Sequence, residues 1–236
     1  RDAYIAAGFE SEVYCPIPTR GITPQEREEY KKVKYENKYD GMITIHRFSM
    51  MQEGRNPIGR AIRYVLVNIA QYHKGVRADG IDIIMSGSTP PTQGVLCGLV
   101  KKRLSKRYGH SVPFIYNLQD VFPDSLVTAG LAKKGGLLWK IGRKIENYTY
   151  RSADAIIVIS EDIKKNIMAK GVLEEKIHII PNWVDTDAVV PVAFSENRLA
   201  KEFGITDDKF RVVYAGNLGL MQGVDTLIDV AELMKN

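Results

Sequence analysis

Short apolar runs punctuate the chain: SEVYCPI, MITIHRF, IDIIMS, VPFIYNL, AIIVIS, KIHIIP and FRVVYAG. Most are continuously apolar and β-branched, whereas a half-exposed strand would alternate polar and apolar positions. Runs of this kind predict strands covered by helices on both faces, as in a parallel α/β sheet. Segments with helical period fill the intervals at about 57–72, 92–107 and 137–151, and a shorter one follows Ser160. In the third, Leu138, Ile141, Ile145 and Tyr148 recur at helical spacing, while Lys140, Arg143, Lys144, Asn147 and Arg151 fall elsewhere, which predicts one packed face and one basic face. Ser160, followed by Glu161 and Asp162, reads as a helix N-cap with acids complementing the dipole. Lys101, Lys102 and Arg103, late in their helix, are expected to complement the opposite pole.

Residues 23–41, TPQEREEYKKVKYENKYDG, carry dense mixed charge and little apolar content, and are expected to form a mobile surface loop with at most one helical turn. The pattern divides the chain into a Rossmann-like domain at 1–190, a linker at 191–209 and the start of a second unit at 210–236.

The candidate chemistry lies where strands end, since ligands of open α/β sheets bind beyond the carboxyl ends of the strands. After IDIIM comes SGSTPPT, with a proline suited to the first helical turn. Either Gly87 and Ser88 let backbone and hydroxyl groups approach a substrate, or the segment is a plain strand-to-helix turn. The next strand delivers Gln119 and Asp120 to the same edge, and Phe122-Pro123 stiffens the exit through proline's fixed φ. Asp120 fits two readings, a side-chain cap of the turn and a general base or acceptor-orienting group. In AGNLGLMQGVDTLIDVAELM a glycine-bearing turn, Gly216-Asn217-Leu218-Gly219, precedes an amphipathic helix. Such a turn offers amides to a phosphate or simply connects strand to helix, and it does not match GxGxxG. His46, His73, His110 and His178 show no metal or triad spacing; only His46, at a strand end, is held in reserve.

Composition narrows the classes. At 44% hydrophobic and 26% charged, the 236 residues have the make-up of a globular protein. Cys15 and Cys97 lack any CxxC or histidine-paired spacing, so neither a disulfide framework nor a metal site is expected, and a reducing cytoplasm fits best. No run approaches the roughly eighteen apolar residues of a membrane span, and the first residues lack a signal peptide's apolar region. The net charge of +5 and pI near 9.0 suggest an anionic partner.

In order, SGSTPP, LQDVFPDS, ADAIIVISEDIKKNI, IHIIPNWVD and VVYAGNLGLMQGVDTLI resemble the family 4 glycosyltransferases of the GT-B type, especially bacterial enzymes of surface-polysaccharide assembly. The resemblance runs from about Ser86 onward, and AAGFESEVYC resembles the end of the family's first helix and its second strand. It implies an α/β fold, a Rossmann-like parallel sheet flanked by helices, as the amino-terminal acceptor domain of a GT-B enzyme. The chain would then be a fragment lacking the first strand and most of the donor domain, and not competent alone.

The reaction implied is sugar transfer with retention from a nucleotide-sugar donor, UDP-linked, to a saccharide or lipid-linked acceptor, with no metal cofactor. Gly87, Ser88 and Gln119 would bind acceptor, and Gly216, Asn217 and Gly219 donor. Where relatives often carry an arginine and a lysine for the donor diphosphate, this chain has Asn217 and Gln222. The family's paired glutamates are expected beyond Asn236. In such enzymes the leaving phosphate helps deprotonate the acceptor, so Asp120 would orient the acceptor or stabilise developing positive charge. The resemblance also suggests peripheral docking on the inner face of the cell membrane through Lys133, Lys134, Lys140, Arg143 and Lys144 near Trp139, against an ordinary solvated helix face.

Two rivals remain. A GT-B-fold sugar-nucleotide epimerase would need acids and histidines around the cleft, and the sequence gives His46 and His178 no clear acidic partner. A non-catalytic anion-binding module would explain the charge and show steep salt dependence. Acids spread along the chain and the lack of a nucleic-acid motif argue against nucleic acid as partner.

Overall fold

The computed structural model describes residues 2–19, 21–52, 56–206, 208, 210–216, 218 and 222–234. A short helix, α1 (Asp2–Ala6), leads into strand β1 (Ser11–Pro16). Within the segment expected to be a loop, helix α2 (Pro24–Lys32) and strand β2 (Tyr35–Lys38) form instead. The helix is nucleated by a capping box: Thr23 Oγ1 accepts from the Glu26 amide at 3.2 Å, and the Thr23 amide donates to Glu26 Oε2 at 2.6 Å, with Pro24 at the first helical position. Strand β3 (Ile43–Phe48) pairs parallel with β1 and antiparallel with β2, giving the order β1-β3-β2.

Helix α3 (Pro57–Gly75) carries the chain to the second sheet and touches both β1 and helix α4 (Gln93–Tyr108), bridging the two sheets. That sheet contains β4 (Ile84–Gly87), β5 (Phe114–Leu118), β6 (Ala155–Val158) and β7 (Ile177–Ile179), all parallel and in sequence order. Helices α5 (Asp124–Thr128) and α6 (Leu137–Ser152) connect β5 to β6, and α7 (Glu161–Met168) connects β6 to β7. Ser160 caps α7 as expected, accepting from the Ile163 amide at 3.3 Å. This is the Rossmann-like α/β arrangement that the pattern implied.

Phe114, Tyr116 and Leu118 alternate along β5 and meet Ile156, Val158, Cys97, Tyr150 and Ile167 in one core. The opposite face is not covered as expected: Ile83 is 48% and Met85 46% exposed, because α4, α6 and α7 all contribute to the core on one side. Tyr4 of α1 reaches Met85 at 3.7 Å. Cys97 is buried there, which pushes its thiol up to about 11.

The helices over that core approach closely through glycines. A Cβ on Gly98 would lie 2.7 Å from Ser152 Cβ, and one on Gly94 would overlap Thr149. This contact rotates α6 away from the expected orientation. Gly142, Glu146, Thr149 and Tyr150 are its buried residues, while Leu138 and Ile141 stand 49% and 47% exposed. Lys101 is used not at the helix pole but in an ion pair with Asp154 at 2.6 Å.

Beyond residue 190 the described chain includes α8 (Arg198–Glu202), capped by Asn197, and α9 (Val224–Leu233). No strand forms among residues 210–216, where one was expected, and Phe210 and Val213 are 94% and 81% exposed. Among the described residues none is paired alongside to complete a ladder, and an apolar run without a partner has no reason to hold strand geometry.

Candidate functional site

The loops after β4 and β5 meet at their carboxyl ends. Ser88, buried at 5% exposure, accepts hydrogen bonds through Oγ from the backbone amides of Gln119 (3.1 Å) and Asp120 (3.3 Å). Its hydroxyl therefore ties one loop to the other. The turn at Asp120 is capped from outside by Ser88, and among the described residues the Asp120 carboxylate has no hydrogen bond or ion pair; it is exposed at the rim. The Gln119 side chain turns to Asn117, with Nε2 donating to Oδ1 at 2.7 Å. A Cβ on Gly87 would meet nothing within 4 Å. The glycine borders a cavity of about 350 Å³ lined also by Pro16, Arg63, Gln71 and Thr89, between the ends of β1 and β4 and under α3.

Four residues on, the same segment is committed to structure. A Cβ on Gly142 of α6 would lie 2.6 Å from Pro123 Cβ, so Phe122-Pro123 forms the floor on which α6 rests. Asp124 binds Lys170 Nζ at 2.7 Å and accepts from Asn166 Nδ2 at 3.2 Å. Partial burial pushes its carboxyl up, but the hydrogen bonds to Lys170 and Asn166 outweigh this and hold it below the ordinary value.

Lys170 also reaches Glu146 at 2.8 Å; that carboxylate pairs with Arg143 and accepts from Tyr150 Oη at 2.7 Å. Burial first, then the neighbouring Glu146, pushes the Tyr150 hydroxyl far up. Sequence reasoning missed Glu146, although Arg143, Glu146 and Tyr150 at i, i+3 and i+7 mark one helix stripe.

This cluster corrects the basic patch. Arg143 faces inward to Glu146, its guanidinium 6.0 Å from the Trp139 ring, and is not a free surface cation. Lys133, Lys134, Lys140 and Lys144 are exposed. They lie among Leu131, Leu137, Leu138 and Ile141, which are exposed as well.

His46 does have an acidic neighbour, contrary to expectation. Its Nε2 lies 3.6 Å from Glu12 Oε2 because β1 and β3 run side by side, and its ring stacks on Tyr14 at 4.6 Å. Of the expected donor residues, Gly216 is exposed, with a Cβ position 3.0 Å from Tyr214 Oη. Asn217 and Gly219 lie outside the described residues.

A mostly parallel sheet whose carboxyl-end loops gather an open glycine, a free carboxylate and a cavity has the layout of a Rossmann-like ligand-binding domain. Residues 2–188 match the family model Glycosyltransferase Family 4, and the chain belongs to that family. It is 28% identical over 162 residues to WbjE of Pseudomonas aeruginosa, a probable glycosyltransferase by name, covering 68% of this chain and 38% of WbjE. It is 26% identical over 125 residues to WcaI of Escherichia coli (strain K12), whose name assigns it to colanic acid biosynthesis as a glycosyl transferase, covering 52% and 31%. With the alpha-galactosylglucosyldiacylglycerol synthase of Streptococcus pneumoniae (strain ATCC BAA-255 / R6) it shares 27% identity over 128 residues, 54% of this chain and 33% of that one. The chain thus spans between three and four tenths of the length of these relatives.

Proposed function

We propose that this chain forms the acceptor side of a retaining, nucleotide-sugar-dependent glycosyltransferase in cell-surface polysaccharide assembly. One observation carries the reading: Ser88 fixes the backbone at Gln119 and Asp120 and thereby leaves the Asp120 carboxylate uncommitted at the rim, next to the opening at Gly87. A carboxylate held by its backbone and free in its side chain is suited to orient an acceptor hydroxyl or to stabilise positive charge developing at the reacting carbon. Family membership and the names of WbjE and WcaI support the reaction class and its setting.

In this reading the donor is a UDP-sugar, with its diphosphate beside the amides around Gly216, Asn217 and Gly219. The acceptor is a saccharide or lipid-linked saccharide, and no metal is required. Exposed leucines among Lys133, Lys134, Lys140 and Lys144 combine apolar contact with positive charge, the pairing that holds a protein at an anionic membrane surface. The enzyme would then work peripherally on the cytoplasmic leaflet. Sedimentation with phosphatidylglycerol vesicles, lost on Leu137→Glu and absent with phosphatidylcholine, is the expected result for that part.

The whole reading is tested by calorimetry of the intact protein against nucleotides and nucleotide sugars, followed by transfer from the one that binds. Failure to bind any of them would end it. The epimerase reading gains Glu12 as a partner for His46, but at 3.6 Å the pair is not hydrogen-bonded, so it offers no preformed acid-base couple.

A further inference from the structure

We propose that the cavity between β1, α3 and β4 is an anion subsite in which Arg63 receives a phosphoryl group carried by the acceptor, an inference that rests on the glycosyltransferase reading. Arg63 is 7% exposed and lines the cavity. Its Nε donates to Met51 O at 3.1 Å and its Nη2 to Thr19 Oγ1 at 3.4 Å, both uncharged acceptors. Among the described residues no carboxylate lies within ion-pair distance of it, and Nη1 has no acceptor.

The other buried arginines on this side of the molecule set the contrast. Arg47, 9% exposed, is neutralised by Glu36 at 2.6 Å. Arg27, also 9% exposed, is spent on Pro18 O at 3.1 Å and Met50 O at 2.9 Å, again with no acid paired to it among the described residues. Two guanidinium charges are thus buried against the loops that follow β1 and β3, and of the two Arg63 lines the cavity beside Gly87. A buried cation is costly until an opposite charge joins it. A guanidinium whose Nη1 still lacks an acceptor can donate a charge-assisted hydrogen bond to a phosphate oxygen.

Placement favours substrate over a stray ion. The cavity lies at the carboxyl ends of β1 and β4, where ligands of such sheets sit, and Gly87 leaves its wall open. At about 350 Å³ it falls within the size range of small-molecule sites. Gln71, also in the lining, spends Nε2 on Tyr14 O at 3.0 Å, while its buried Oε1 has no partner among the described residues. That oxygen is available to a hydroxyl of the sugar next to the phosphate.

The probes are geranyl diphosphate, inorganic pyrophosphate and geraniol, titrated calorimetrically into the intact protein. Both phosphates are expected to bind and geraniol is not; tighter binding of geranyl diphosphate marks the acceptor as the source. Arg63→Met should weaken both on the order of ten- to hundredfold, and Arg63→Lys less. Gly87→Ile, which fills the cavity wall without touching the bonds of Arg63, should also weaken both, and carries the test if Arg63→Met does not fold. Unchanged affinity in a folded Arg63→Met or in Gly87→Ile, no binding of either phosphate, or displacement of geranyl diphosphate by UDP would overturn the subsite. A protein that binds geranyl diphosphate through Arg63 but transfers no sugar would sink the glycosyltransferase reading alone. One that transfers sugar while Arg63→Met leaves phosphate affinity intact would sink the subsite alone.

Discussion

The two halves of the segment that follows β5 have opposite fates. Gln119 and Asp120 are held by their backbone, through the Ser88 hydroxyl, and the acid is left free. Phe122, Pro123 and Asp124 are held by their side chains, under Gly142 and against Lys170 and Asn166. Two acids four residues apart, equal by composition, are therefore divided: the Asp124 carboxylate is engaged by Lys170 and Asn166, and that of Asp120 has no partner among the described residues. An acid's neighbours in space, which local sequence does not reveal, decide which it becomes.

The sharpest way to break the comparison is at the anchor of the packed half. Glu146→Gln leaves Arg143 without its buried partner and is expected to lower unfolding stability by about 3 kcal/mol in urea titration, the scale for breaking a buried pair. A loss under about 1 kcal/mol would show that the cluster is dispensable.

At the free half, Asp120→Asn should reduce sugar transfer by the intact enzyme about hundredfold while leaving its melting temperature within experimental scatter. Equal loss of activity and stability would make Asp120 a structural residue after all.

The mildest effect belongs to Asp124→Asn, about 1 kcal/mol for a half-exposed pair. Its carboxyl is held below the ordinary value in the folded state, so its contribution is complete above the unfolded value near pH 4. The contribution is lost as pH falls through the lower folded value. The stability gap between wild type and variant should accordingly close in acid; a gap constant from pH 7 to pH 2 would contradict the ion pair.

Much of the fold was legible because β-branched runs such as VPFIYNL and AIIVIS need only local pattern to be recognised, and Ser160 announces its cap. FRVVYAG has the same character, yet no strand forms there, since a strand also needs neighbours and a pattern search does not count them. The capping box at Thr23 and Glu26 was readable but masked by the density of charge around it. Around the candidate site, the placement of Gly87 and Asp120 at the carboxyl edge of the sheet was readable from the strand ends. Arg63 and Glu146 were not, because a charged residue inside an amphipathic helix reads as surface until the tertiary contacts bury it.

The Ser88 hydroxyl has one further consequence. Because it accepts from both the Gln119 and Asp120 amides, deuterium exchange at those two positions depends on opening of a loop thirty-odd residues earlier in the chain. The two loops should therefore exchange as a single unit, and Ser88→Ala should speed exchange at both amides together. A ligand that settles against Gly87 would slow it, turning two backbone protons that touch no substrate into a clock for occupancy of the cleft.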